Sequence, residues 1–273
     1  MTMVRCGLVM TLNANRVTSK ASSEQDGLPG ERLLPREGAP LIIWTMAEPL
    51  VPELSVLNKQ ELIRHSPYFK GLSPKEFSVI EGMALEERFE RDAMVVSEGD
   101  LSRKVYLVAS GAVKIFGTSA EGKEQILAIA RPGDSFNDVA AFDGGEAQAT
   151  AQALTPLIVF AINGRVLLEQ ACQLGPLAAN IIGALGVKVR QLGDLVADLS
   201  FRPVSGRLAR ILVTQVDLPN TPYLTQRDLA AMAGTAREVV ARALKGMEDD
   251  GLIKVERHRI EIVNRRELEK IAL

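Results

Sequence analysis

Three charged side chains, Arg237, Glu238 and Arg242, share one face of a predicted helix near the carboxyl end of the chain. An arginine can donate two hydrogen bonds to O6 and N7 of guanine, and a glutamate can accept one from N4 of cytosine. A short helix that displays such side chains near its amino end is typical of a recognition helix in the major groove of DNA. A solvated surface helix is the alternative, but the surrounding turn pattern favours DNA readout.

Two short helices around a glycine would position these side chains. Thr225 can cap the first helix, and Gly234 supplies the backbone freedom of a tight turn. Thr235 is predicted to cap the second helix, because Glu238 three residues later would complete a capping box. The apolar residues of the second helix repeat at helical spacing and form its buried stripe, namely Val240, Leu244 and Met247.

An alternating segment after Gly251 predicts a β-hairpin, which would be the wing of a winged helix-turn-helix. Basic residues near the turn of this hairpin would contact phosphates. Asn264 could cap a last short helix. The predicted DNA-binding residues of this whole region are Thr225, Thr235, Arg237, Glu238, Arg242, Lys245, Arg257 and Arg259.

The composition bounds the class of protein and excludes several kinds of site. Of the 273 residues 47% are hydrophobic, so a sizeable core is expected. The net charge is only −2, but residues 201–273 hold 13 Lys and Arg against 10 Asp and Glu, a mild basic excess where DNA contact is predicted. The cysteines and histidines are too few and too widely separated for a zinc or iron–sulfur site: Cys6, Cys172, His65 and His258.

Residues 1–45 show no sustained hydrophobic periodicity. We expect them to form a flexible tail, or to precede a biological start of the protein at Met46. The longest apolar stretches fall far short of the roughly 20 residues that cross a bilayer. The sequence therefore predicts no membrane segment, and the two widely separated cysteines fit a protein of the reducing cytoplasm.

The segment from residue 46 to residue 172 is rich in predicted strands. Its short apolar stretches are separated by turns that contain glycine. Strands of this length and spacing predict a compact antiparallel barrel or roll. The predicted strands are Met94–Val96, Val105–Val108, Val113–Phe116, Gln125–Ile129 and Leu157–Ile162.

A long helix is predicted from residue 173 to residue 200, because the apolar residues change to alternating three- and four-residue steps, interrupted by Lys188. A helix cannot bury such a stripe alone. We expect a two-chain coiled coil, since a single winged helix reads only one half-site. Packing against the chain's own roll is the alternative. The predicted dimer contacts are Ile181, Leu185, Leu192, Leu195 and Leu199.

The whole arrangement resembles the CRP/FNR family of bacterial transcription regulators over roughly residues 60–265. Ser205–Ala209 looks like the start of that family's DNA-binding domain, and Arg237–Arg242 is similar to the recognition helix of its cyclic-AMP-receptor branch. The turns of the roll carry four further motifs similar to those of the family, Glu98–Asp100, Ser110–Val113, Glu121–Leu127 and Arg131–Asp134.

The resemblance implies an α+β fold with an N-terminal cyclic-nucleotide-binding-like β-roll at 46–172. A dimerisation helix at 173–200 and a C-terminal winged helix-turn-helix at 201–273 would follow. It also implies a homodimer that binds a palindromic site in double-stranded DNA with TGTGA-like half-sites, with RNA polymerase as a further partner. Activation and repression both stay open.

The resemblance also places six residues in the family's effector pocket, Phe136, Asn137, Asp138, Gln148, Ala149 and Leu192. Members that bind cyclic nucleotides use a glycine and a glutamate for the ribose, where this chain has Asn137 and Asp138. They use an arginine and a serine for the phosphate, where it has Gln148 and Ala149. A buried phosphate needs a fixed positive charge, so these residues argue against cyclic AMP as the effector.

The sequence supports the other effectors known in the family no better than it supports cyclic AMP. The iron–sulfur branch needs a cysteine cluster that this chain lacks, and its two histidines do not stand where heme ligands would. We therefore expect an unidentified small molecule, or no effector at all.

Other classes of function remain alternatives. An enzyme would need a nucleophile and base or a metal site, and Asp134 and Asp138 are better explained as turn residues than as a carboxylate pair. A cyclic-nucleotide-responsive regulator is one rival. A ligand-binding module that acts on another protein is a second, although it would not need base-reading arginines.

In the favoured mechanism, a hinge at 201–203, with Pro203 in the first turn of the next helix, would set the two recognition helices about 34 Å apart.

Overall fold

The computed structural model describes residues 59–216, 224–256 and 259–273. The predictions for residues 1–45, for Met46 as a start and for Arg257 and His258 of the wing lie outside these residues. For Arg259, only the backbone is described.

Two four-stranded antiparallel sheets form the β-roll, and their strand orders are β1-β8-β3-β6 and β2-β7-β4-β5. Val108, Val113 and Val159 are fully buried between them. The strands are β1 (Leu85–Phe89), β2 (Met94–Val96), β3 (Lys104–Ser110), β4 (Val113–Thr118), β5 (Glu124–Ala130), β6 (Ser135–Phe136), β7 (Thr150–Ala153) and β8 (Leu157–Asn163).

All five strands predicted from apolar runs are present as β2, β3, β4, β5 and β8. The sequence pattern missed β1, β6 and β7, because β1 is mainly charged, β6 has two residues and β7 lacks bulky apolar side chains. Gly111 makes the turn between β3 and β4 with φ of +87°, and a Cβ there would lie 2.3 Å from the Pro156 carbonyl oxygen. This turn therefore requires glycine for both conformation and space.

Helices cover one side of the roll. They are α1 (Lys59–His65), a short 3₁₀ turn (Pro67–Phe69), α2 (Pro74–Met83), α3 (Asp138–Asp143), α4 (Gly164–Ala171) and the 27-residue α5 (Gly175–Phe201). The first turns of α5 pack into the roll's own core through Leu177 and Ile181. Asn180 ties the same turns to the 3₁₀ segment by donating to the carbonyls of Tyr68 at 3.0 Å and Lys70 at 2.7 Å.

The exposed apolar stripe of α5 differs from the predicted one. Ile181 is buried within its own chain, so its assignment as a dimer contact was wrong. Leu185 is half-buried against the roll core, and Leu195 and Leu199 line a cleft beside the carboxyl-terminal helices. Four apolar side chains along the middle of α5 are at least 50% exposed, namely Ile182, Val189, Leu192 and Val196, and Phe201 at the end of the helix is 87% exposed. The steps between the four residues in the middle of α5 are seven, three and four, in a register shifted from the predicted one.

The carboxyl-terminal helices and hairpin form a winged helix-turn-helix. Their core includes Leu208, Leu229 and Leu268. The elements are α6 (Val204–Val216), α7 (Gln226–Ala233), α8 (Arg237–Asp249), β9 (Ile253–Glu256), β10 (Arg259–Ile262) and α9 (Arg265–Ala272). Pro203 stands immediately before α6, where its missing N–H leaves no helical hydrogen bond unmade. The described helices include none that is long and apolar enough to cross a bilayer.

Candidate nucleic-acid interface and effector cavity

The outer face of α8 presents the three predicted base readers together. Arg237, Glu238 and Arg242 are all exposed, while the opposite face of α8 is buried through Val240 and Leu244. Within the described residues, none of the three side chains makes a hydrogen bond or an ion pair. They are therefore available to a ligand at the amino end of the helix, where recognition helices meet base edges.

Two other predicted DNA-binding residues have local partners. Lys245 lies on the same side of α8, but its Nζ is 2.9 Å from the carboxylate of Asp249 and 3.5 Å from that of Glu248. Thr225 caps α7 as predicted: its Oγ1 accepts from the Asp228 N–H at 3.1 Å, and the Asp228 carboxylate accepts from the Thr225 N–H at 2.8 Å. This capping box orients the first helix of the motif.

The turn between α7 and α8 departs from the predicted capping pattern. Gly234 ends α7 in the left-handed conformation, and the Thr235 N–H bonds back to the carbonyl of Ala230 at 3.0 Å. Thr235 therefore belongs to the end of α7, and Ala236 is the N-cap of α8, without a side-chain hydrogen bond. The prediction of a capping box between Thr235 and Glu238 is wrong, so the Glu238 carboxylate does not cap the helix.

Gly234→Ala should destabilise this turn by about 1–3 kcal/mol, since an L-residue is strained at its φ of +64°. The new Cβ would also lie 2.5 Å from Cδ2 of Leu199 and 2.9 Å from Oε1 of Gln125. Chemical denaturation measures the loss. Gly246→Ala is the matched control on exposed α8, where a Cβ meets nothing within 4 Å, and should stabilise by up to about 1 kcal/mol. Equal effects of the two substitutions would contradict the argument.

A cavity of about 510 Å³ lies between the roll and α5. It brings together all six predicted pocket residues, Phe136, Asn137, Asp138, Gln148, Ala149 and Leu192. Much of the remaining wall is apolar, with Val96, Ile115 and Leu127 among its side chains.

A polar network lies in the wall of this cavity. Asp138, only 3% exposed, accepts a hydrogen bond from the Tyr68 hydroxyl and forms an ion pair with Lys188 of α5. The Lys188 ammonium also donates to the carbonyl of Ser135 at 2.8 Å and to its hydroxyl at 3.2 Å. Burial, together with the Asp138 charge, raises the pKa of Tyr68 well above its ordinary value, so the hydroxyl stays protonated and donates.

The positive charge that lines the cavity is already paired within the protein. Lys188 is the single cation among the described residues that line it, and Asp138 neutralises this cation. Asn137, which has a φ of +60°, donates its side-chain amide to the carbonyls of Ser102 and Lys104. Gln148 adds a neutral amide and Ala149 no polar group. The cavity therefore offers a phosphate no unpaired positive charge.

Tyr68 was not among the predicted pocket residues, and Lys188 was interpreted only as an interruption of the apolar stripe. A lysine at a core position of a heptad pattern is a usable signal, because a charge placed there requires a partner. Asp138, which was predicted as a pocket residue, is this partner.

Comparisons with known proteins agree with this architecture. The cyclic nucleotide-binding domain family matches residues 86–172, and the Crp-like helix-turn-helix domain family matches residues 206–271. The chain is 32% identical over 213 residues to the cyclic AMP receptor protein of Thermus thermophilus, covering 77% of this chain and 98% of that protein. It is 26% identical over 205 residues to a CRP-like cAMP-activated global transcriptional regulator of Mycobacterium tuberculosis, covering 72% and 92%.

A solved structure shows the same fold. FixK2 from Bradyrhizobium japonicum, 23% identical, matches with a TM-score of 0.62 over 70% of this chain and 98% of that one. The chain thus belongs to the CRP/FNR family and is a transcription regulator of that type, with a helix-turn-helix domain that binds DNA.

Proposed function

We propose that the protein acts as a homodimer that reads a palindromic DNA site with one recognition helix from each protomer. The observation that carries this proposal is the exposed stripe of Ile182, Val189, Leu192 and Val196 along α5. An apolar stripe at heptad spacing is buried when a second copy of the helix packs against it. Two-fold symmetry then gives two recognition helices for two inverted half-sites.

Arg237, Glu238 and Arg242 are the proposed base readers, and the resemblance to the cyclic-AMP-receptor branch supports TGTGA-like half-sites. Thr225, at the start of α7, and the wing would contact the backbone beside them. The proposed set of DNA contacts also includes Arg257 and Arg259 of the wing, Thr235 before α8 and Lys245 on α8. RNA polymerase is the further partner that we propose, in the cytoplasm.

Arg237→Ala tests this function. The substitution should weaken binding to a duplex with two inverted TGTGA half-sites by about 1–3 kcal/mol per half-site, and should relax the base preference at one position. Fluorescence anisotropy on this duplex and on single-base variants measures both effects. Arg165→Ala is the matched control, since Arg165 is an exposed arginine of α4 paired with Glu169. A uniform loss on all duplexes would mean that Arg237 contacts phosphates and not bases.

We propose that the cavity holds either an uncharged small molecule or no effector. The Lys188–Asp138 pair and the neutral Gln148 and Ala149 support this proposal, since an anion would have to separate the pair and leave Asp138 buried. Cyclic AMP is the alternative, favoured by the names of the relatives and by the space in the cavity. Calorimetric titration of the purified protein with cyclic AMP distinguishes them, and micromolar binding would favour the alternative.

A further inference from the structure

The hairpin formed by β4 and β5 lies against the first helix of the helix-turn-helix. Phe116 and Ile126 of the hairpin pack on Ala231 of α7. Beside them, Gln125 donates from Nε2 to the carbonyl of Met232 at 3.4 Å. The roll therefore holds the DNA-binding helices of its own chain through a direct, partly apolar contact.

An ion pair lies at the edge of this contact. Oε1 of Glu124 accepts from Nη2 of Arg227 at 2.9 Å, and Oε2 of the same carboxylate accepts from the Lys114 ammonium at 3.0 Å. Lys114 is buried, so it keeps Glu124 in place. The Arg227 side chain is 73% exposed. Arg227 is thus the member of this cluster that can change partner with little rearrangement.

Arg227 is also the second residue of α7. The first helix of a helix-turn-helix crosses the DNA backbone, and arginines supply many contacts to phosphate oxygens. A guanidinium that holds the Glu124 carboxylate cannot give the same N–H groups to a phosphate. We propose that Arg227 is a further phosphate contact of the DNA-binding domain, and that Glu124 competes with DNA for it. The roll then restrains DNA binding; this inference rests on the DNA binding proposed above.

Glu124→Gln tests the proposal, because it removes the competing charge and keeps the shape of the side chain. DNA affinity should increase about two- to fivefold for each protomer, the range expected for release of one exposed ion pair. The slope of log K against log salt should steepen by about 0.9 for each protomer. Both changes should be equal on the TGTGA palindrome and on an unrelated duplex of the same length, because a phosphate contact does not depend on sequence.

Arg227→Ala completes the test. It should weaken binding more in the Glu124→Gln background than in the wild type, and it should abolish the steeper salt slope. Glu169→Gln is the matched control, since Glu169 pairs with Arg165 on α4, away from the hairpin. Thermal unfolding of each variant shows whether the fold is kept. Unchanged or weaker binding by Glu124→Gln would overturn the proposal, as would equal effects of Arg227→Ala in both backgrounds. Failure to prefer the palindrome would instead count against the proposed site, since binding to the unrelated duplex still measures Arg227.

Discussion

Val189→Asp should convert the protein from a dimer into a monomer. Val189 lies in the middle of the exposed stripe of α5, one heptad from both Ile182 and Val196. In the dimer its carboxylate would lose its water and face the same charge on the partner helix, which is strongly unfavourable. We expect the dissociation constant of the dimer to rise by on the order of a hundredfold or more. Sedimentation velocity measures this change, since one chain has a mass of 29.6 kDa.

The same substitution should weaken binding to the palindrome by at least about a hundredfold, because a monomer contacts one half-site. Binding to a duplex with a single half-site should be almost unchanged, which separates loss of the dimer from damage to the DNA-binding helices. Val79→Asp is the matched control, an exposed valine on α2 away from the stripe. A Val189→Asp protein that still sediments as a dimer would rule out α5 as the interface.

Lys188→Met should lower the free energy of unfolding by about 2–4 kcal/mol, the second large effect that we expect. Asp138 would stay buried with only the Tyr68 hydroxyl as a partner, and removal of one member of a buried ion pair is strongly destabilising. This loss in the free energy of unfolding is smaller than the full cost of an unpaired buried charge, because the Lys188 side chain is 32% exposed. Differential scanning calorimetry should show a transition lowered by about 5–15 °C.

The double substitution Lys188→Met with Asp138→Asn separates two roles of this pair. Removal of both charges should restore most of the lost stability, since no buried charge is left alone. If the pair also positions α5 for dimerisation, DNA affinity should stay reduced although stability has recovered. Full recovery of both would show that the pair serves stability alone. Retention of wild-type stability by Lys188→Met itself would contradict the pairing.

The DNA-binding region was predictable in most of its parts because its signals are local. Thr225 with Asp228, Gly234 and the buried stripe of α8 all lie within a few residues of their partners, so capping and helical period identify them. The exception was Thr235. Its position three residues before Glu238 fits the pattern of a capping box. In the structure, however, its N–H bonds to the carbonyl of Ala230 at the end of α7, and Ala236 is the N-cap of α8.

The register of α5 could not be read from periodicity. Adjacent residues Ile181 and Ile182 fit the three- and four-residue steps almost equally well, and the helix is apolar on more than one side. Only the position of the roll core decides that Ile181 is buried and Ile182 is exposed.

Residue types and short-range spacing determined the β-rich segment and the recognition helix, and the resemblance to the CRP/FNR family placed Gln148 where cyclic-nucleotide binders carry the phosphate-binding arginine. The tertiary structure alone decided the polar network of the cavity. Tyr68 and Lys188 lie 70 and 50 positions from Asp138. No local preference links residues so far apart, and only the packing of α5 and the 3₁₀ segment on the roll brings their charges and hydroxyl together.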